Sequence, residues 1–393
     1  MMVCTRIIKL RKINHKVLFR YFHETPRLLG VLKNSPNAQL DKSIYNRYMC
    51  LPIPELKVHG TYIWIDGTGE NLRSKSRTLE FNPSTYKEIP NGTFDGSNTL
   101  QAPVQNPDCY LIPIAMYHDP IRRGTSKLVL CETFDANEKP SKSNHRQACV
   151  ASLNRICDQQ VEIGFKQEYF FTGKSGKPFG WSTEGDPEPS DFQYAGVGAF
   201  KVYGREIAES FYRCCLYCGI DIAGDKPERF LSQWEFRTGP SSCIKAADDL
   251  WMARWLLTRI AEDFGVGVSF QPSFSPKWHG SGLHVTFSSK RMREENGLRH
   301  IEEAIKKLEK RHDDHMAVYD PKGGADNIKR LTGQFNSSLA NKFTFKVADR
   351  TASVRITKTV NAKKKGFFED RRPAANADPY QVINALVKTC IIE

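Results

Sequence analysis

Five short segments gather carboxylates, a histidine and arginines among glycines: Phe94-Asp95-Gly96-Ser97, Gln167-Glu168-Tyr169, Gln233-Trp234-Glu235-Phe236, Gly280-Ser281-Gly282-Leu283-His284 and Phe368-Glu369-Asp370-Arg371-Arg372-Pro373. Carboxylate oxygens held on strands suit hard divalent cations, Mg2+ or Mn2+, which clamp nucleotide phosphates, and arginines add bidentate phosphate contacts. Any one segment read alone is a solvated surface carboxylate. Read together, by pattern, they go no further than metal-dependent phosphoryl chemistry.

Elements of two kinds must position them. Strand-like apolar runs at 61–66, 110–117 and 127–133 are separated by turn-rich segments, and no long helical period occurs between His59 and Asp135, which reads as a small β-rich domain. A Pro/Ser/Asn-rich stretch at 137–144 then opens a helical region, with Ser143 expected to cap a helix through Ala148, Leu153 and Ile156. Further helices are expected at about 204–218, 244–264, 297–316 and 379–391, alternating with strands, the last begun by Asp378 as cap and Pro379 in its first turn. Ile301, Ala304, Ile305 and Leu308 fall on one helical face, with Glu302, Glu303, Lys306 and Lys307 outside.

A chain of 393 residues, 40% hydrophobic, is long enough for two domains with a large core. No run of eighteen uncharged apolar residues occurs, so no helical membrane span is expected. The net charge of +13 is uneven: residues 1–33 carry eight basic side chains and one acid, Glu24, leaving +6 for the rest. A basic, acid-poor, partly amphipathic N-terminus has the composition of a mitochondrial transit peptide and implies the matrix, against a solvated basic tail on a cytoplasmic protein. Because the excess charge sits largely in this leader, no nucleic-acid partner is expected. The eleven cysteines are irregularly spaced and read as reduced thiols. Cys214, Cys215 and Cys218 lie within a helical pattern and read as buried small hydrophobes rather than as a zinc site.

Three longer stretches identify the pattern. Tyr62-Ile63-Trp64-Ile65-Asp66-Gly67-Thr68-Gly69-Glu70, Met292-Arg293-Glu294-Glu295-Asn296-Gly297-Leu298 and Tyr319-Asp320-Pro321-Lys322-Gly323-Gly324 resemble glutamine synthetase of the eukaryotic type, and the resemblance runs from roughly Asn34 through Glu393. It implies an α+β fold, with an N-terminal β-grasp domain followed by a larger catalytic domain in which helices flank a curved antiparallel sheet. The division would be a leader at 1–33, a helical arm at 34–57, the β-grasp domain at 58–136 and the catalytic-type domain at 137–393. It also implies a decamer of two stacked pentameric rings, with each site between neighbours. In the family reaction ATP phosphorylates the glutamate side chain, and ammonia displaces phosphate from the acyl phosphate; two divalent ions offset the charge repulsion.

Carried over by motif, Glu168, Glu228 and Glu235 match the ligands of the first metal site. His284 and Glu369 match two ligands of the second, but its third, a glutamate in the family, is here Lys166. An ammonium cannot coordinate a cation, and a dication a few ångströms away would be repelled by several kcal/mol even at an effective dielectric of about 20. Either Lys166 stands in for the metal, pairing with Glu369 and phosphate, or it turns to solvent and leaves two ligands. After Arg330-Leu331-Thr332-Gly333 the family has a His-Glu flap, whereas this chain reads Gln334, Phe335, Asn336, Ser337. Asn336, in the place of the flap glutamate, can neither attract ammonium by charge nor take its proton. His279 replaces an asparagine that holds substrate glutamate beside Gly280; Thr286 replaces another, and Glu162-Ile163 replaces Trp-Phe. Asp95 matches the catalytic carboxylate given by a neighbouring subunit, and Ser288 a nucleotide-site hydroxyl. Arg330 and Arg371 match contacts to substrate glutamate, while Arg350 and Arg355 match the phosphate-binding arginines, Arg350 among the catalytic residues.

Two function readings follow. One is a ring-forming member of the family that makes glutamine poorly or not at all and acts structurally or on an active paralogue by co-assembly. The other is an active or retuned ATP-dependent carboxylate–amine ligase, for which glutamate, ammonia, ATP and Mg2+ or Mn2+ remain the ligands.

Overall fold

The computed structural model describes residues 35–181 and 193–393; the basic leader expected at 1–33 lies outside them. Residues 36–57 form an exposed arm with short helices Pro36–Gln39 and Lys42–Met49, the second capped by Asp41, whose carboxylate accepts from Ser43 N at 2.9 Å.

The first sheet has five strands: β1 (Val58–Ile65), β2 (Leu72–Leu79), β3 (Gly92–Asp95), β4 (Asp108–His118) and β5 (Lys127–Phe134). Their order is β2-β1-β5-β4-β3, with β1 and β5 parallel and the other pairs antiparallel. Alternation divides the side chains between two apolar environments. Tyr62 and Trp64 of β1 and Val129 and Cys131 of β5 fill a small core of this sheet. Their neighbours Ile63, Leu128 and Leu130 point the other way, into the main core of the molecule. Burial on both faces is why these runs read as continuously apolar. One buried polar contact crosses to the larger part: Tyr117 on β4 donates to Asp249 at 3.0 Å.

The second sheet has eight strands: β6 (Glu162–Thr172), β7 (Ile222–Pro227), β8 (Gln233–Ser242), β9 (Gly267–Ser269), β10 (Leu283–Ser288), β11 (Phe345–Val347), β12 (Val354–Ile356) and β13 (Phe368–Asp370). The order is β11-β12-β13-β10-β6-β8-β7, with β9 paired to β6, and only β11 and β12 run parallel. The architecture is therefore α+β, a grasp-type sheet followed by a larger, mainly antiparallel sheet flanked by helices.

Helices cover the apolar face. Helix Cys243–Asp263 is buried along most of its length, and helix Arg205–Cys218 sends Ile207, Ala208, Phe211, Cys215 and Cys218 inward at helical spacing. Cys215 and Cys218 thus pack in the main core, where burial pushes both thiols above their usual range. Gly219 ends this helix at φ 84°, a left-handed cap that a side chain would resist.

Two sequence expectations are corrected. The helix expected at 297–316 is two helices, Leu298–Lys310 and His312–Met316. The chain turns at Arg311 so that His312 reaches Ala340 O at 2.9 Å and His315 reaches Tyr319 and Thr389. Ser143 does not cap the next helix, which starts at Arg146 after His145; its hydroxyl instead accepts from Gln101 Nε2 at 3.2 Å. Asp378 does cap helix Pro379–Val387, accepting from Tyr380 N at 2.8 Å. Among the described residues no helix is long and apolar enough to cross a membrane.

Candidate active site

A cleft of about 490 Å3 opens on the polar face of the eight-stranded sheet, and strand register decides what lines it. On β6, Phe165, Gln167 and Tyr169 are buried toward the core, while Lys166 and Glu168 alternate with them and face the cleft. Glu168 lies opposite Glu235 on β8, and Glu235 lies opposite Lys226 on β7. Lys166 lies opposite Arg237 on one side and His284 of β10 on the other. At the far side, Glu369 of β13 faces Arg355 of β12. Three cross-strand rows result: Lys226, Glu235 and Glu168; Arg237, Lys166 and His284, which holds no carboxylate; and Arg355 with Glu369.

The side chains pair from one row to the next. Lys166 Nζ is 2.6 Å from Glu369 Oε1, with the lysine side chain 24% exposed and the glutamate 1%. Arg355 Nη1 stands 3.4 Å from Glu369 Oε2, and Arg371 Nη1 stands 3.8 Å from Oε1. Burial pushes the Glu369 carboxyl up, but Lys166, Arg371 and Arg355 outweigh it and hold the group below its ordinary value. Around the other carboxylates, Lys226 is paired to Glu228 and stands 3.5 Å from Glu235 Oε2, while Arg237 Nε donates to Glu235 Oε1 at 2.8 Å. Glu168 accepts from Gly282 N at 2.8 Å; burial and then the facing Glu235 raise its pKa.

The structure brings together Glu168, Glu235 and His284, whose donor atoms all lie within 4.8 Å of one another. That is a group compact enough for one metal ion, with His284 in place of Glu228, which is engaged by Lys226 instead. Burial keeps His284 neutral, helped by Arg371, Arg330 and Lys166. The pair of divalent ions implied by the resemblance does not fit these residues. At the second position Lys166 sits on Glu369, and Arg371 Nη1 is 3.4 Å from His284 Nδ1, so two cations touch the only remaining ligands.

The substrate-side positions are also altered. His279 is bonded through Nε2 to Arg229 Nη1 at 2.6 Å, and its ring lies 5.3 Å from that of Phe335. The segment Gln334 to Ser337 forms a tight turn, with Phe335 at φ 53° and Asn336 at φ 61°, and both line the cleft. Asparagine tolerates that left-handed conformation; phenylalanine adopts it only under constraint. Arg330 is spent on the protein itself, donating from Nη2 to the carbonyls of Arg371, Arg372 and Pro373 at 2.6 to 3.1 Å. Burial lowers its pKa to about 10. Gly280 is there because Arg330 passes so close: a Cβ would meet Arg330 Cγ at 2.2 Å and Pro272 O at 2.4 Å. Arg350 and Arg355 both line the cleft.

Two expected site residues do not line this cleft, Asp95 having been expected to serve the site of a neighbouring subunit. Asp95 does not line the cleft; it is exposed and caps the turn Gly96–Thr99, accepting from Ser97 N at 2.9 Å. Ser288 is buried, its hydroxyl donating to Gly366 O at 2.7 Å. Two residues that sequence reading missed, Lys226 and Arg237, reach the carboxylates of the expected first metal site. The signal was there for Arg237, which follows Glu235 by two on β8, so strand alternation puts both on one face; Lys226 stands two residues before Glu228, near the end of β7.

The α+β chain thus carries a polar cleft of carboxylates, histidine and arginines on a mainly antiparallel sheet, the groups that phosphoryl chemistry employs. Residues 150–392 match the family model described as glutamine synthetase, catalytic domain. The chain is 50% identical to the glutamine synthetases of Homo sapiens and Mus musculus over 362 residues, which is 92% of this chain and 97% of each relative. It is 49% identical to that of Gallus gallus over the same length. The chain belongs to the glutamine synthetase family, whose members use ATP, glutamate, ammonia and divalent metals.

Proposed function

We propose that this chain retains the fold and cleft of its family but makes glutamine very poorly or not at all, and that its role is structural or regulatory. The observation that carries this reading is the Lys166–Glu369 ion pair, at 2.6 Å, where the family holds a divalent ion between two carboxylates and a histidine. Phosphorylating a carboxylate requires two anions, substrate and γ-phosphoryl, to approach each other. A single ammonium already committed to Glu369 offers less charge than a dication and no open coordination position. Lys226 and Arg237 weaken the first site in the same way, and Asn336 removes the flap carboxylate.

In this reading the chain forms pentameric rings stacked as a decamer, or joins the rings of an active paralogue and alters sites at shared interfaces, with the β-grasp part at 58–136 and the catalytic-type part at 137–393. The basic leader supports placement in the mitochondrial matrix. ATP-dependent glutamine formation by the purified protein, in Mg2+ and in Mn2+, tests the proposal; turnover at the level of an active family member assayed in parallel overturns it.

A second reading, a retuned carboxylate–amine ligase, is supported by the arginines Arg330, Arg350, Arg355 and Arg371, which all line the cleft. Phosphate release from ATP across a panel of amines and acids tests it, and silence across the panel rejects it.

A further inference from the structure

The cleft carries more positive charge than its carboxylates absorb. Leaving Arg229 aside, seven basic side chains stand along the described wall against four carboxylates, those of Glu168, Glu228, Glu235 and Glu369. Three of the cations, Lys166, Lys226 and Arg237, are matched to carboxylates at hydrogen-bond distance. The other four are guanidiniums. Arg330 is bonded to backbone carbonyls and therefore keeps its full charge. Arg355 and Arg371 share Glu369 with Lys166 at 3.4 and 3.8 Å, and Arg355 Nε is buried without a hydrogen-bond partner among the described residues. Arg350 has no hydrogen bond or ion pair among the described residues. Arg350 and Arg355 are also close enough to Arg371 to oppose its charge. Like charges crowded in a cleft with unused donors are relieved by an anion, and guanidinium forks suit phosphate oxygens.

We propose that the cleft is a metal-independent receptor for a compact phosphate-bearing polyanion, a diphosphate or the phosphate tail of a nucleotide. Lys166 and Lys226 supply from within the protein the positive charge that free divalent ions supply elsewhere in the family. This deepens the proposed loss of synthesis and rests on the same replacement of metal by side chain. The ligand reaches Arg350 and Arg355 directly, and its binding gains nothing from Mg2+, because three of the four carboxylates, Glu228, Glu235 and Glu369, are already paired with cations.

Calorimetric titration of the full-length protein with inorganic pyrophosphate, in EDTA and in excess Mg2+, tests the proposal, with glutamine formation assayed on the same preparation. Binding at least as tight in EDTA as in Mg2+ is expected, and Arg350→Ala should weaken it about tenfold or more, as should Arg355→Ala. Lys166→Glu should make binding depend on Mg2+. Binding only when Mg2+ is present, or binding untouched by both arginine variants, overturns the proposal. Succinate binding as tightly as pyrophosphate overturns the phosphate assignment. The two readings fail separately: glutamine formation with retained EDTA binding sinks the loss of synthesis alone, and silence in both assays sinks the receptor alone.

Discussion

The ammonium of Lys166 on β6 reaches Glu369 on β13 across the whole width of β10, passing the strand that carries His284. The side chain at one expected metal-ligand position is the counter-ion of another expected ligand. With Glu369 1% exposed and Lys166 24% exposed, the pair is screened far less than a surface bridge.

Removing the ammonium leaves a buried carboxylate leaning on Arg355 and Arg371 alone. Lys166→Met is therefore expected to destabilise the fold by about 1–3 kcal/mol, read as a lowered urea midpoint with unchanged slope. An unshifted midpoint would mean that the ion pair contributes nothing.

Restoring the family's carboxylate sets Lys166→Glu against Glu369 with no cation between them. That variant should melt below the wild type in EDTA and regain stability when Mn2+ is added, whereas the wild type should respond little. Equal Mn2+ responses from the two proteins would contradict the placement of Lys166.

Acid should weaken the fold through His315. Its Nδ1 lies 2.7 Å from Tyr319 Oη, which itself donates to Asp370 at 2.7 Å, so Nδ1 carries the hydrogen and Nε2, 2.9 Å from Thr389 Oγ1, accepts. Burial, then Arg372, lowers its pKa from 6.5 to about 3. A base whose folded pKa is depressed binds its proton more readily when unfolded. The stability it confers is thus full above about pH 6.5 and is lost progressively toward pH 3. The loss at pH 4 relative to pH 7.5 should reach up to about 3 kcal/mol, and His315→Gln should flatten that part of the profile. A pH profile identical in the two proteins would refute it.

Crowding around Arg330 predicts the effect of one added methyl. Gly280→Ala would drive a carbon into Arg330 and Pro272 O, and the guanidinium would leave its three carbonyls. A cost of about 2 kcal/mol or more is expected in denaturant unfolding. A neutral result would show that the segment before β10 moves freely.

The strands of the grasp-type sheet were legible because both faces are buried, so 61–66 and 127–133 read as apolar runs. The helix at 204–218 was legible from its spacing of Ile207, Phe211 and Cys218. What the sequence hid were choices made over long separations. Lys166 and Glu369 are 203 residues apart, and only the β6-β10-β13 register decides between pairing and solvent. Ser143 is drawn from its expected cap by Gln101, 42 residues earlier. The break at Arg311 follows from two inward histidines whose partners, Ala340 and Thr389, lie in distant segments. Within the site, the family comparison directs attention to replaced ligands, and Lys226 and Arg237 occupy positions beside ligands.

The most direct test of the account is a Mn2+ titration of the purified protein followed by electron paramagnetic resonance, with an active family member as the reference. At most one weakly bound ion per chain is expected, with no signature of a coupled pair. Two tightly held Mn2+ ions per chain, spin-coupled as neighbours, would contradict it.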